Sequence, residues 1–499
     1  MKTLQKVLMA VLLLLGFMPR SNAAEIFKND DLDLNFGGRI QLVGDMDLVT
    51  VDPVRDHFRV FLWDEEDRLF TSGSYQGYKW NFEVAFGGEA INSSNNQLNL
   101  LDASVDIPLI PDMVSAKIGQ FKVPGNLESA DYEGNLLFAE KSPIFNLFFN
   151  QGYDTGIALF GHIGNLDGQG GMVQGGPDVI QRYLPEVLNF PTPMFLRLGY
   201  NDGIDDDPFH PRQTGFVKPT KSEFAFHGTG YVAADSNAGH SEDLGLGGGY
   251  LSTFNANSEY GNVLISSVFN PYMGLAGVAP VKATYWQAGF DFQYRTPVGD
   301  TTFTAQGQVM AAQYVMTVPS EYNLETPVTL LSQPGVSNSP TATTKIAGNQ
   351  YSLNIGGGEL QASIGDNPWE VAGRFSLVIP DVNMLGTYTQ RNANGTPVLI
   401  SPGVTRTFVA PIFTNSSPIY ELTFPSITCH LNGDCKLVAE TIFMINTPAV
   451  HSDDGTYLIA EMPGSANSGI GAGAYGNANG ANYRIGLVPC GRMMFQLQF

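Results

Sequence analysis

The sequence predicts an all-β protein built as a transmembrane antiparallel β-barrel. Three observations predict this fold: long segments in which apolar and polar residues alternate, an apolar leader, and a last segment that alternates up to a terminal aromatic residue. Successive side chains of a strand point to opposite faces, so strict alternation produces one apolar and one polar face. A barrel in an outer membrane uses both, because one face meets lipid and the other a wet lumen.

The first element is a predicted secretory signal peptide. Lys2 and Lys6 precede the apolar run 7–18, and small residues follow that run. This order of basic, apolar and small residues is typical of a cleaved leader, and a buried N-terminal helix is the less favoured interpretation. We expect cleavage after Ala23, with Ala24 as the alternative.

The rest of the chain is predicted to form one membrane domain. No later stretch has the ~20 uninterrupted apolar residues that a membrane helix needs, so an exported chain that spans a membrane would do so with strands. No linker or shift in composition divides it. We therefore assign residues 1–23 to the signal peptide and 24–499 to a barrel in a bacterial outer membrane.

Alternation marks the predicted strands in order. Clear segments cover 31–48, 78–86, 101–107, 286–294 and 369–379. A helix would instead repeat its apolar residues every three or four positions. A soluble β-sandwich also alternates, so the pattern by itself leaves that fold open.

The last segment is the most informative strand. Four apolar residues share one parity: Met493, Phe495, Leu497 and Phe499. The polar or flexible residues share the other parity: Met494, Gln496 and Gln498. The terminal aromatic residue also resembles the assembly signal of bacterial outer-membrane barrels. We expect this strand to close the barrel against the first one.

The connections between segments favour a barrel over a sandwich. Short turns are predicted at 108–112 and 297–300, whereas long polar loops are predicted at 317–349, 381–417 and 463–482. Short turns on the periplasmic side and long loops outside are the expected asymmetry of an outer-membrane barrel.

Composition excludes several functions. The 499 residues contain 26 Lys and Arg against 48 Asp and Glu, for a net charge of −22, which argues against nucleic acid as a partner. An acidic pore or surface favours cations. The seven histidines are scattered, and neither Gly-x-Ser-x-Gly nor His-Glu-x-x-His occurs, so we predict neither an enzyme nor a cofactor. An enzyme site assembled from distant loops stays open as an alternative.

Two small motifs are candidates for covalent or metal chemistry. Cys429 and Cys435 could form a disulfide in an oxidising compartment. Two unrelated free thiols, or a pair of metal ligands, remain open as alternatives. A weak Ca²⁺ candidate, or else a solvated acidic turn, consists of Asp202, Asp205, Asp206 and Asp207. The acidic stretch lacks the spacing of an EF-hand, which favours the solvated turn.

Three motifs in sequence carry a resemblance to a known family. They are Ile118-Gly119-Gln120-Phe121-Lys122-Val123-Pro124, then Leu137-Phe138-Ala139-Glu140-Lys141-Ser142, then the segment 151–161 with its Asp-x-Gly element. Their order resembles the phosphate-selective porin O and P family, most clearly over 57–161 and in the last strand. The resemblance implies homotrimers of 16-stranded barrels whose long third loop folds inward. We therefore expect about 16 strands, with 18 as the alternative.

The resemblance also implies a constriction. Residues 122–151 would form the inward loop, with Lys122, Glu140 and Lys141 as its motif residues. These residues would either contact solutes or pin the loop to the wall by an ion pair, since an inward loop needs polar anchors in either case.

The sequence departs from the family where phosphate selectivity would be set. Phosphate needs closely spaced Arg and Lys donors, but the corresponding stretch keeps only Arg59 and Arg68, with four acids between them. The predicted lumen also carries acids, among them Asp45, Glu83, Asp102 and Asp106. The expected function is a general or cation-preferring porin for small hydrophilic solutes or ions.

Other interpretations and partners follow from the same observations. The first alternative is an anion- or phosphate-selective porin as in the family. Another is a structural barrel that sheaths or docks a periplasmic electron-transfer partner. Expected partners are outer-membrane lipid, lipopolysaccharide and further copies of the chain in a homotrimer. The natural solute is not predicted.

Overall fold

The structure is a computed structural model, and it describes most of the strands and some of their connections. The described residues are 24–28, 32–52, 55–86, 99–130, 136–142, 149, 152–173, 193–204, 219–238, 281–317, 325–328, 342–345, 350–366, 368–389, 399–401, 404–405, 407–415, 418–432, 435–451, 457–459 and 484–498. The predicted signal peptide and the terminal Phe499 lie outside them.

Sixteen described strands form the wall, numbered here in chain order. The first eight are β1 (Leu32–Asp52), β2 (Arg55–Tyr75), β3 (Tyr78–Phe86), β4 (Asn99–Ile110), β5 (Val114–Lys122), β6 (Tyr153–Ile163), β7 (Leu166–Val173) and β8 (Met194–Asp202). The second eight are β9 (Glu223–Ala238), β10 (Val281–Val298), β11 (Thr301–Thr317), β12 (Gln350–Asp366), β13 (Trp369–Thr389), β14 (Ile419–Asn432), β15 (Cys435–His451) and β16 (Arg484–Gln498).

The strands close into a single antiparallel barrel. Each pairs with the next along the chain, and β16 returns to pair with β1, for example at Ile40 and Leu497. Closure removes the unpaired edges that an open sheet would leave. The predicted fold class and the count of 16 strands are confirmed, and 18 strands are not observed in the described chain.

Shorter elements accompany the wall. The additional strands are Ala24–Lys28, Glu325–Val328, Ala342–Lys345, Leu399–Ser401, Val404–Thr405, Thr407–Asn415 and Tyr457–Ile459. A one-turn helix, α1 (Leu127–Ala130), lies in the connection between β5 and β6. No helix within the described ranges has the length and apolar character needed to cross a membrane.

The two faces of the wall invert the arrangement of a soluble protein. Outward apolar side chains are exposed, such as Val309 at 63% and Phe290 at 60%. Inward polar side chains are buried, such as Gln306 at 0% and Arg374 at 1%. Water would penalise such a surface, whereas lipid is its natural solvent, so the barrel is built to span a membrane.

The alternation read from the sequence matches this inside–outside pattern. In β10, Trp286 and Phe290 face outward and are exposed, whereas Gln287 and Asp291 are buried in the lumen. In β16, Met493 is exposed and Gln496 is fully buried. Parity therefore assigned the faces of these strands correctly.

The connections fall on two rims. Short turns at 76–77, 111–113, 164–165 and 299–300 alternate with longer connections such as the one between β5 and β6. The latter is the third connection on its rim, after those at 53–54 and 87–98. One loop prediction was too long: within 381–417, β13 continues to Thr389, and Thr407–Asn415 pairs with it. Backbone pairing persists there although the apolar residues change from odd positions in 369–379 to even positions such as Val382, Met384 and Tyr388.

Candidate functional site

The connection between β5 and β6 folds into the barrel. Its described residues are buried, including Leu127 at 0% and Phe149 at 0%. Asn126 shapes the entry, because its Oδ1 accepts from the Ser129 N–H at 2.8 Å and its Nδ2 donates to the Phe149 carbonyl at 2.6 Å. An Asn at this position caps a helix start and here also ties the two ends of the loop together. We call residues 123–152 the inward loop.

The first part of the inward loop is bound to strands β9 to β11. Thr229 and Gln287 donate to the Gly125 carbonyl at 2.8 and 3.1 Å. The Leu127 N–H donates to Oε1 of Gln308 at 2.9 Å. These bonds satisfy backbone groups that would otherwise be buried without partners.

The second part of the inward loop reaches β15 and β16. Lys436 donates to the Leu136 carbonyl at 2.6 Å. Arg492 forms an ion pair with Glu140. The loop thus leaves the wall between β5 and β6, crosses the lumen and is attached to the far side.

Arg374 of β13 is the central anchor of the inward loop. Its Nη2 lies 2.7 Å from Oε1 of Glu421, and its Nη1 lies 3.5 Å from Oε1 of Glu128. Nη1 also donates to the Glu140 carbonyl at 2.9 Å, and the guanidinium lies 4.5 Å from the centroid of the Phe138 ring. One buried cation therefore holds two separate pieces of the loop against β13 and β14.

Ser142 and Glu128 extend this anchor. The Ser142 hydroxyl donates to Glu421 at 2.8 Å, and its Oγ lies 3.0 Å from Oγ of Ser376. Glu128 accepts from the Ser142 N–H at 2.8 Å and from Gln361 at 2.9 Å. Burial raises the pKa of Glu128, and the Arg374 guanidinium opposes that shift.

Two small apolar clusters complete the contact between loop and wall. One joins Val43, Ala139, Val438 and Met494, and the other joins Leu137, Phe138 and Ala372. The apolar side chains that β1, β13, β15 and β16 direct into the lumen therefore pack against the loop. Burial of these groups adds a non-directional contribution to the ionic anchors.

The opposite wall carries a second polar group. Arg68 lies 3.0 Å from Glu83 and donates to the Tyr153 hydroxyl at 3.2 Å. Glu83 is in register with Asp102 on β4, and Ser104 donates to Asp102 at 2.6 Å. Glu83 and Asp102 are thus neighbouring carboxylates on this wall, and Arg39 of β1 is in register with Arg68.

Two of the motif residues that the sequence singled out, Lys122 and Glu140, have partners outside the inward loop. Glu140 pairs with Arg492. The Lys122 ammonium is buried and lies 5.9 Å from the centroid of the Tyr153 ring, where a cation is attracted by the ring face. Lys141 is half-buried. The loop is pinned by side chains of strands β9 to β16.

The other predicted lumen residues divide into two groups. Glu83 and Asp102 are buried on the lumen face, and Asp106 lies 3.7 Å from Lys117 nearer the turn. The side chains of Asp45 and Arg59 lie outside the described atoms. Backbone pairing of β1 and β2 places Asp45 opposite Phe61 and Arg59 opposite Asp47.

Sequence reasoning missed most of the far wall. The additional buried charged residues are Glu359, Glu421, Lys436, Glu440 and Arg492. The alternation does contain this information, because each of these residues is at a position whose side chain points into the lumen. Glu421, for example, lies between Tyr420 and Leu422. Their importance depends on the inward loop, which no local pattern reveals.

The lumen arginines are largely paired. Among the described residues, five of them lie near carboxylates, in the pairs Arg68–Glu83, Arg197–Asp291, Arg295–Glu223, Arg374–Glu421 and Arg492–Glu140. A guanidinium that is already engaged by a carboxylate offers fewer donors to a passing anion.

The candidate disulfide is not formed. Cys429 is in register with Leu437, whereas Cys435 is in register with Asn432 across a bulge. This diagonal offset corresponds to about 7–8 Å between backbones, which is beyond the usual reach of a disulfide. The Cys435 sulfur lies 3.5 Å from the Gln498 carbonyl instead.

The candidate Ca²⁺ turn is only partly described. Asp202 pairs with Lys221 at 3.0 Å, and this hydrogen bond raises the pKa of Lys221. Residues 205–207 lie outside the described part of the chain. The described residues contain no group of three or more His, Cys, Asp or Glu arranged to hold a metal.

Comparison with known proteins adds structural likeness at low identity. No protein-family model matches the chain, and neither does any curated protein. Outer-membrane expressed OmpT of Vibrio cholerae is 8% identical, with 95% of this chain and 100% of that chain covered and a TM-score of 0.44. An anion-selective porin from Comamonas acidovorans is 11% identical, with 94% and 100% covered and a TM-score of 0.42. Pseudomonas putida OprB is 8% identical, with 93% and 94% covered and a TM-score of 0.40. The barrel assignment rests on the strand pairing described above.

Proposed function

We propose that the protein is an outer-membrane porin that lets small hydrophilic solutes or ions diffuse passively, with a preference for cations. The observation that carries this proposal is the inward loop, which crosses a polar lumen inside a barrel with an apolar exterior. Such a loop narrows the passage through the barrel without blocking it. The mechanism is size exclusion combined with a charge bias, with no chemical step and no cofactor.

The charge bias comes from acids that the arginines do not neutralise. Among the described residues, ten buried Asp and Glu side chains compare with eight buried Arg and Lys side chains. Charges on a low-dielectric wall attract counter-ions into the passage. A surplus of carboxylates therefore raises the local concentration of cations.

Phosphate or anion selectivity, as in the resembling family, is the second candidate. Several arginines in the lumen favour it, among them Arg68, Arg197 and Arg374. Each of these has a carboxylate partner, however, so a bound phosphate would have to displace it. This pairing supports the cation-preferring proposal over the phosphate-selective one.

The remaining elements of the proposal come from the resemblance and from the leader. A homotrimer in contact with outer-membrane lipid and lipopolysaccharide fits the exposed apolar exterior. A cleaved signal peptide over residues 1–23 would deliver the chain to that membrane. A barrel that sheaths a periplasmic partner would need an unobstructed lumen, whereas the inward loop occupies it.

The reversal potential in a salt gradient across a planar bilayer tests the proposal. We expect wild-type channels to prefer K⁺ over Cl⁻. Asp102→Asn should lower the permeability ratio of K⁺ to Cl⁻ by roughly twofold, because one negative charge of the lumen is lost. Asp112→Asn removes the same charge from an exposed turn and should leave the ratio unchanged. Clear anion selectivity of the wild type would contradict the proposal.

A further inference from the structure

A further buried ionic group lies in the lumen on β7 to β10, next to Thr229 and Gln287, which bind the inward loop. It consists of Asp167 on β7, Arg197 on β8, His227 on β9 and Asp291 on β10, and we call it the quartet. Arg197 binds Asp291 through two nitrogens, at 2.6 and 2.9 Å. All four side chains are 2–7% exposed. They occupy four consecutive strands, so the group runs around the inner face of the wall without a gap.

His227 is the centre of the quartet. Its Nε2 lies 3.1 Å from Oδ1 of Asp167, and its Nδ1 lies 3.4 Å from Oδ1 of Asp291. Both ring nitrogens therefore face carboxylate oxygens. A neutral imidazole has one N–H and one lone pair, so one of its nitrogens would point a lone pair at a carboxylate. The imidazolium donates from both nitrogens and satisfies both contacts.

Gly199 makes this geometry possible. It lies between Asp167 and His227 in the strand register, so the imidazole must pass over it to reach Asp167. A Cβ at this position would come 2.2 Å from Cδ2 of His227. Only glycine leaves room for the ring, and an alanine would force it away from Asp167.

We infer that His227 is held as an imidazolium by Asp167 and Asp291, and that its deprotonation increases the cation preference of the pore. With the proton present, two carboxylates balance one guanidinium and one imidazolium, so the quartet is neutral. Loss of the proton leaves one net negative charge in the lumen. The groups that face His227 are Asp167, Arg197 and Asp291. The next ionic pair along these strands, Arg295–Glu223, is 3.4 Å apart and closer to the turn.

The protonation state can be measured without any transport assay. In the full chain, refolded in detergent with ¹⁵N-labelled histidine, we expect one imidazole to show two protonated nitrogens at about pH 7. This signal should be absent in His227→Gln, and its ¹⁵N chemical shifts should change in Gly199→Ala. A neutral ring for His227 at that pH would overturn the inference.

The effect on transport rests on the proposed function and is measured separately. Between about pH 6 and about pH 9, the K⁺ to Cl⁻ permeability ratio of the wild type should rise by about twofold more than that of His227→Gln. His162→Gln replaces an exposed histidine on β6, and its permeability ratio should depend on pH as that of the wild type does. Equal pH dependence in wild type and His227→Gln would refute the selectivity role. Absence of channels in every variant would refute the proposed function, and the histidine spectra would still decide the inference.

Discussion

Arg374→Ala is expected to destabilise the barrel by about 3–5 kcal/mol, because it leaves buried carboxylates without their cation. Glu421 and Glu128 both lose that partner, and the Glu140 carbonyl loses a donor. The inward loop should detach from β13 and β14. Single-channel conductance should therefore rise while the urea concentration at the unfolding midpoint falls.

Two controls separate loss of the anchor from general loss of charge. Arg374→Lys keeps the charge but not the planar guanidinium. Its conductance and its unfolding midpoint should therefore lie between those of the wild type and of Arg374→Ala. Lys221→Ala breaks the exposed pair with Asp202 and should change neither conductance nor unfolding. An alanine variant at position 374 with unchanged conductance would show that Arg374 does not hold the constriction.

Val309→Arg is expected to destabilise the folded barrel in lipid by about 2–4 kcal/mol. Val309 lies halfway along β11, in register with Phe290, and both side chains are exposed on the outer face. A charge at this height would sit in the hydrocarbon region. Unfolding of the barrel in lipid vesicles, followed by tryptophan fluorescence, measures the effect.

Val298→Arg is the matched control for this substitution. Val298 is also outward and exposed, but it is the last residue of β10, beside the turn at 299–300. Near the interface the cost should fall to about 0–1 kcal/mol. Equal effects at the two valines would argue that the exterior does not face lipid.

The strands were the part of the fold most accessible from sequence. In β10 and β13, alternation alone separated outward residues such as Phe290 and Phe375 from inward residues such as Asp291 and Arg374. The reason is physical, because lipid and lumen impose opposite polarity on neighbouring residues. The same rule did not find the continuation of β13 to Thr389, where the apolar residues change parity.

The candidate site was only partly accessible. The motif near Lys122 and Glu140 indicated an inward loop, but the partner of Glu140 is Arg492, which is 352 residues away in sequence. Such pairs depend on where the loop lands on the far wall. A register shift between His430 and Asn432 likewise decides that Cys429 and Cys435 do not bond, and no sequence spacing reveals a bulge.

The position of the inward loop during conduction is the central point, and a cysteine crosslink tests it most directly. Oγ of Ser142 lies 3.0 Å from Oγ of Ser376, so Ser142→Cys combined with Ser376→Cys should form a disulfide on oxidation in a chain whose other cysteines are replaced. We expect complete crosslinking and an unchanged single-channel conductance, because the loop stays on this wall while ions pass beside it. Failure to crosslink, or a channel that oxidation closes and reduction reopens, would contradict a fixed constriction.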